Sequence, residues 1–115
     1  MSEISIYFAY DSDLSEYEAS SKGYRTDVFV KIGNNIYNLR IYSMIRLQQD
    51  FESEIVSYGF YMPEPNLVLV NDVNKDEIIK IVQKLYEQKY FEEIKSINNI
   101  ETSQLVNIAR IVDIV

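Results

Sequence analysis

The sequence predicts an α+β fold in one domain spanning 1–115: an antiparallel or mixed sheet of about four strands in the order β-β-β-α-β-α, then a C-terminal helix, with the helices packed on one face. Three observations carry that prediction. Apolar residues alternate with polar ones near the N-terminus and again on both sides of Gly33-Asn34-Asn35. Helical spacing at three and four residues then takes over in 43–60 and in 74–87. At 115 residues the chain has the size of one domain, long enough to bury a core without disulfides or metal.

Residues 4–10 read as the first strand, with Ile4, Ile6 and Phe8 alternating against Ser5, Tyr7 and Ala9. The next stretch, DSDLSEYEASSKG, is rich in turn formers and has only Leu14 and Tyr17 as large apolar groups, so a loop is favoured, with at most a short helical turn after Ser12 or Asp13. Residues 24–32 and 36–42 form the best hairpin signal: Val28, Val30 and Ile32 share one face of the first arm, and Tyr37, Leu39 and Ile41 one face of the second. Asp27, Lys31, Asn38 and Arg40 are expected on the opposite, wetter face.

The segment SMIRLQQDFESEIVSYGF places Met44, Leu47, Phe51, Ile55 and Tyr58 on one helical stripe, expected to face the core. Ser43 is positioned as its N-cap and Gly59 as its left-handed C-terminal residue. Pro63 and Pro65 make the following connector stiff and extended. Residues 67–70, a short continuous apolar run, are expected as a strand buried on both faces. Asn74 and Glu77 resemble a capping box that opens a second helix, which turns Ile78, Ile81, Val82 and Leu85 inward. Residues 91–97 fit either an edge strand or an extension of that helix, Asn98-Asn99 marks a break, and 103–115 return to helical spacing.

Composition narrows the function. Without cysteine there are no disulfides, thiolate metal sites or cysteine nucleophiles. Without histidine the commonest general base near neutral pH and the commonest metal ligand are missing. Carboxylates stand near one another at Asp11 and Asp13, Glu52 and Glu54, and Glu92 and Glu93, but acid-base work by two carboxylates needs a cleft that separates their pKa values. Neither a GxSxG elbow nor a P-loop is present, and Asp11-Ser12-Asp13 lacks the glycine and glutamate of a calcium loop. The expectation is a protein that is not an enzyme, with no cofactor and no metal. No basic, apolar leader opens the chain and no stretch approaches bilayer length, so a soluble, cytoplasmic protein with no membrane contact is expected.

A formal charge of −7 repels phosphate backbones and attracts basic proteins, which disfavours nucleic acid as a partner. The acids are also clustered. Glu3, Asp11, Asp13, Glu16 and Glu18 precede the first basic residue, Lys22, and no Lys or Arg occurs between Arg46 and Lys75, an interval holding Asp50, Glu52, Glu54, Glu64 and Asp72. Tyrosine combines apolar area with a polar end and is favoured between proteins. The candidate partner-binding residues are therefore Asp11, Asp13, Glu16, Tyr17 and Glu18 in the first tract, and Asp50, Glu52, Glu54, Phe60, Tyr61 and Glu64 in the second. The aliphatic C-terminus is expected to dock on the domain's own sheet or on a second copy, leaving monomer and homodimer open.

The segments YRTDVFVKIG, YSMIRLQQDF, PEPNLVLV and NKDEIIKIVQKLYEQKYF, in that order, resemble the small immunity proteins of bacterial polymorphic toxin systems, and most closely the group called immunity protein 8. The resemblance implies a protein that binds a cognate toxin domain and blocks its active site without performing chemistry. An acidic surface suits that task when the toxin is a nuclease with a basic cleft. The alternative is a structural or scaffold module that homodimerises through its C-terminus.

Overall fold

A computed structural model describes residues 2–63, 65–97 and 99–113. The fold is α+β, built on one mixed sheet of five strands: β1 (Ser2–Phe8), β2 (Tyr24–Ile32), β3 (Asn35–Ser43), β4 (Leu67–Val70) and β5 (Val106–Asp113), in the order β4-β3-β2-β1-β5. Neighbours are antiparallel except β3 and β4, which run parallel. A parallel pair needs a crossover, and the chain from Ser43 to Leu67, containing α2 (Met44–Tyr58), supplies it. The other helices are α1 (Asp13–Lys22) and α3 (Lys75–Glu87).

Alternation sets the core face. Ile4, Ile6 and Phe8 of β1 lie opposite Ile32, Val30 and Val28 of β2, and Val30 and Val28 lie opposite Tyr37 and Leu39 of β3. This layer closes against Ala19 of α1, Val73 just before α3, Ile78 and Val82 of α3, and Phe91, whose ring lies 5.2 Å from that of Tyr37. Each fully buried aliphatic or phenyl group contributes about 1.5–3 kcal/mol. The hairpin turns through Gly33-Asn34, joining the Ile32–Asn35 pair as a two-residue loop. Ser43 Oγ accepts from Arg46 N and Asn74 Oδ1 from Glu77 N, so both expected N-caps form. Burial pushes the Tyr90 phenol above its ordinary pKa.

Five expectations are corrected. The stretch 11–23 holds a ten-residue helix, α1, where a loop was favoured. It is secured at its ends: Ser12 Oγ accepts from Ser15 N, Ser15 Oγ accepts from Ser12 N, and Gly23 closes it in the left-handed region. Only Ala19 is buried, which is why the periodic signal is weak.

The C-terminal helix is replaced by strand β5. A bulge beside Ile6 and Tyr7 puts Val106, Ala109 and Ile111 opposite Phe8, Ile6 and Ile4, a spacing of three then two that imitates a helical stripe. The β-branched residues Val106, Ile108, Ile111 and Val112 favour the extended form. This docking on the domain's own sheet is one of the two expected outcomes.

Strand β4 is an edge strand, not an interior one, and Leu69 is exposed. An apolar run of four residues does not by itself choose between centre and edge. Residues 91–97 form neither a regular strand nor more of α3: Tyr90–Glu92 is a 3-10 turn and Ile97 makes one bridge to Ile36.

The stripe of α2 does not face the core. None of its residues is buried, and Met44, Phe51, Ile55 and Tyr58 are exposed. The sheet's inner layer is already filled by α3, α1 and Phe91, and α2 follows β3 with no intervening loop, so it is anchored mainly by its first turn. Replacing Val56 by Asp together with Phe60 and Met62 by Ser is expected to change the unfolding free energy by no more than about 1 kcal/mol, since all three are exposed. Chemical denaturation checks it.

Candidate protein-docking surface

The surface is built on the polar side of α2. Arg46, Asp50, Glu54 and Tyr58 recur every four residues and so form one slowly winding row. At its start, Arg46 Nε lies 3.1 Å from Asp50 Oδ1, and the guanidinium stands 4.7 Å over the Tyr24 ring. Tyr24 in turn stacks on Tyr42, its partner across the β2–β3 pair, with centroids 5.5 Å apart and planes at 27°. Tyr42 follows Ile41, so it belongs to the sheet face opposite the core.

At the far end, Gly59 takes φ 81° and its N–H donates to Ile55 O, which turns the chain back. Phe60, Tyr61 and Met62 thereby return beside the helix. With Tyr42, Asp50, Glu54 and Tyr58 they line a groove that is both aromatic and acidic. Tyr61 also lines a second, apolar groove with Met44, Leu47, Gln48, Phe51 and Pro63. Phe60 is 61% exposed and Met62 78%, while Val56, 87% exposed, lies on another side of α2. Exposed apolar groups of this size, gathered on one helix and its connector and rimmed by acids, mark an interaction surface.

The structure thus brings Asp50, Glu54, Phe60 and Tyr61 into one groove. Glu52 is exposed on the same helix, where its Oε1 accepts from Gln48 Nε2 at 3.3 Å. Glu64 lies outside the described residues. The first tract is distributed differently. Asp13, Tyr17 and Glu18 are exposed on α1, Glu18 being 3.9 Å from Lys22 Nζ. Asp11 and Glu16 are engaged in contacts within the domain: Asp11 Oδ1 lies 2.6 Å from Lys75 Nζ, and Glu16 Oε1 accepts from Lys75 N at the start of α3. Glu16 Oε2 also lies 3.5 Å from Arg25.

Arg25 is the charged residue that sequence reasoning missed. A bulge between Arg25 and Val28 puts Arg25 opposite Ile41, on the core face, with only 5% of it exposed. Its guanidinium covers the Phe8 ring at 3.6 Å, donates to Tyr10 O, and bonds Asp27 Oδ1 at 2.8 Å, while Asp27 Oδ2 accepts from Ala9 N. Asp11, Glu16, Arg25, Asp27 and Lys75 thus clamp β1, α1, β2 and α3 together.

Tyr42 and Tyr58 were also assigned ordinary packing roles by sequence, as a strand residue and as part of the core stripe. The four-residue recurrence of Arg46, Asp50, Glu54 and Tyr58 is the signal that would have grouped Tyr58 with the acids. Among the described residues no group of three or more acidic side chains is arranged to hold a metal ion, and no helix is long and apolar enough to cross a membrane. Comparison with known proteins decides little. No family model, no curated protein and no solved structure matches this chain.

Proposed function

We propose that the protein is a cytoplasmic binding protein, not an enzyme, that neutralises a basic toxin domain by covering its active site with α2 and the connector after it. The observation that supports this reading most directly is the juxtaposition of exposed apolar groups and unneutralised acids on one projecting helix. Phe60 and Met62, with Tyr58, supply apolar area for a desolvated centre, Asp50 and Glu54 edge the same groove, and Glu52 adds to the negative field from another side of α2. Self-association through this face is disfavoured, because it sets Asp50, Glu52 and Glu54 of one copy against those of another. A cationic protein meets no such cost. A nuclease cleft, built to hold phosphates, has the complementary sign.

The test is to read the gene beside this one for a large toxin and to co-express the C-terminal domain of that toxin with this protein; a neighbouring gene of another kind counts against the reading. Protection of growth is expected, together with a stable complex. Reversing Glu52 and Glu54 to Lys should slow association roughly tenfold at low salt and blunt its salt dependence in stopped-flow. Unchanged rates remove these residues from the interface, and the absence of protection removes the toxin reading.

A second reading rests on β5. This eight-residue strand has an open outer edge, whereas the opposite edge strand, β4, is short and follows two prolines, devices that blunt pairing. A homodimer through antiparallel β5 strands would use that edge. Sedimentation that finds a monomer at every concentration removes it.

A further inference from the structure

We infer that the groove between α2 and the connector is a receptor for a single arginine side chain of the partner, held between Asp50 and Glu54 and against the rings of Tyr42, Tyr58, Phe60 and Tyr61. This deepens the docking reading and rests on it, since the arginine is taken to arrive on a basic protein. Three observations favour a guanidinium as the occupant.

The row on α2 is incomplete as charge. Arg46, Asp50 and Glu54 stand at four-residue intervals, and among the described residues Arg46 pairs with its neighbour Asp50 alone, 3.1 Å away. Two carboxylates one turn apart repel, and a cation seated beside Glu54 would continue the alternation. The lining residues of the groove include no Lys or Arg, and the chain has none between positions 46 and 75.

The walls are aromatic. Four of the seven lining residues are Tyr or Phe, and Tyr58 and Phe60 are 69% and 61% exposed, so their area is available to an incoming group. Aromatic faces attract cations, and a planar guanidinium stacks on them while its N–H groups reach a carboxylate.

The molecule already uses this chemistry one turn away. Arg46 is held by the same two contacts, a tyrosine ring at 4.7 Å and the carboxylate of Asp50. Asp50 stands between the two places, with Arg46 on one side and the groove on the other. Tyr61 separates the groove from the apolar one lined by Met44, Leu47 and Phe51, which gives an aliphatic neighbour of the arginine its own seat.

The test is NMR titration of the isotope-labelled full chain at low salt with three blocked peptides, acetyl-Gly-Xaa-Gly-amide, in which Xaa is arginine, lysine or citrulline. The arginine peptide is expected to shift resonances of residues 42, 50, 54 and 58–62, and the citrulline peptide, which has the same shape without the charge, to leave them in place. Glu54→Gln should weaken arginine binding about fivefold, the value of one partly exposed ion pair. Phe60→Ser should weaken it as well without altering the spectrum elsewhere. Equal shifts with citrulline, or shifts of the same size around Asp13 and Glu18, would overturn the site. Equal affinity for lysine would overturn the guanidinium assignment. Arginine binding here without protection in the toxin experiment would remove the toxin and keep the receptor.

Discussion

Replacing Arg25 by alanine is expected to lower the unfolding free energy by about 2–4 kcal/mol, enough to unfold a marginal domain. The guanidinium is buried and serves four groups: the Phe8 ring, Tyr10 O, Asp27 and Glu16. Removal leaves two carboxylates facing each other without their shared cation. The loss falls short of that for a fully buried ion pair because the side chains of Asp27 and Glu16 keep 26% and 32% of their exposure, and water partly replaces the missing partner. Arg25→Met should be milder than alanine, since its stem still covers Phe8. Adding Asp27→Asn to Arg25→Ala should cost less than the sum of the two changes, because Asn Oδ1 can still accept from Ala9 N and only the Glu16 charge is left without Arg25. Urea unfolding of the four proteins provides the cycle.

Gly23→Ala is expected to cost about 2–4 kcal/mol, whereas Gly59→Ala, at nearly the same backbone angle, should cost about 1–2 kcal/mol. Both glycines end a helix in the left-handed region, Gly23 at φ 77° and Gly59 at φ 81°. Their surroundings separate them. A Cβ on Gly59 meets nothing within 4 Å, but one on Gly23 would stand 2.7 Å from Ser43 Oγ and 3.0 Å from Arg46 Cβ. Ser43 is the N-cap of α2, and its own N–H donates to Gly23 O at 2.8 Å, so the end of α1 and the start of α2 are one joint. Pushing Arg46 aside tilts the helix that carries the docking surface. Thermal unfolding of the two variants should rank them in this order, and Gly23→Ala should also weaken partner binding while Gly59→Ala disturbs only the connector.

The fold class and most elements were legible in the sequence because local signals agreed with the final packing. The hairpin, the caps at Ser43 and Asn74, the stop at Gly59 and the inward face of α3 all rest on spacing and turn chemistry that tertiary structure left intact. Two of the misreadings have a common cause. Two β-bulges break the period of two, one hiding Arg25 on the core face and the other making β5 resemble a helix. The stripe of α2 is a different case: amphipathic spacing states that a face is apolar, not that the domain's own core will cover it. Of the seven residues lining the groove, the sequence singles out Asp50, Glu54, Phe60 and Tyr61 by charge and by aromatic residues beside prolines, but not Tyr42, Tyr58 or Met62; strand and helix patterns account for the two tyrosines equally well. Asp11 and Glu16 illustrate the converse, acids that looked available and are engaged in the clamp around Lys75 and Arg25.

The claim that the exposed face of α2 and its connector meets a cationic protein is tested most directly by calorimetric titration of the C-terminal toxin domain, where the neighbouring gene encodes one, with the Phe60→Ser, Met62→Ser variant beside the unaltered protein. The account predicts that the unaltered protein binds tightly and that the variant, still folded, gives no measurable heat of binding. A variant that binds as well as the original would contradict it.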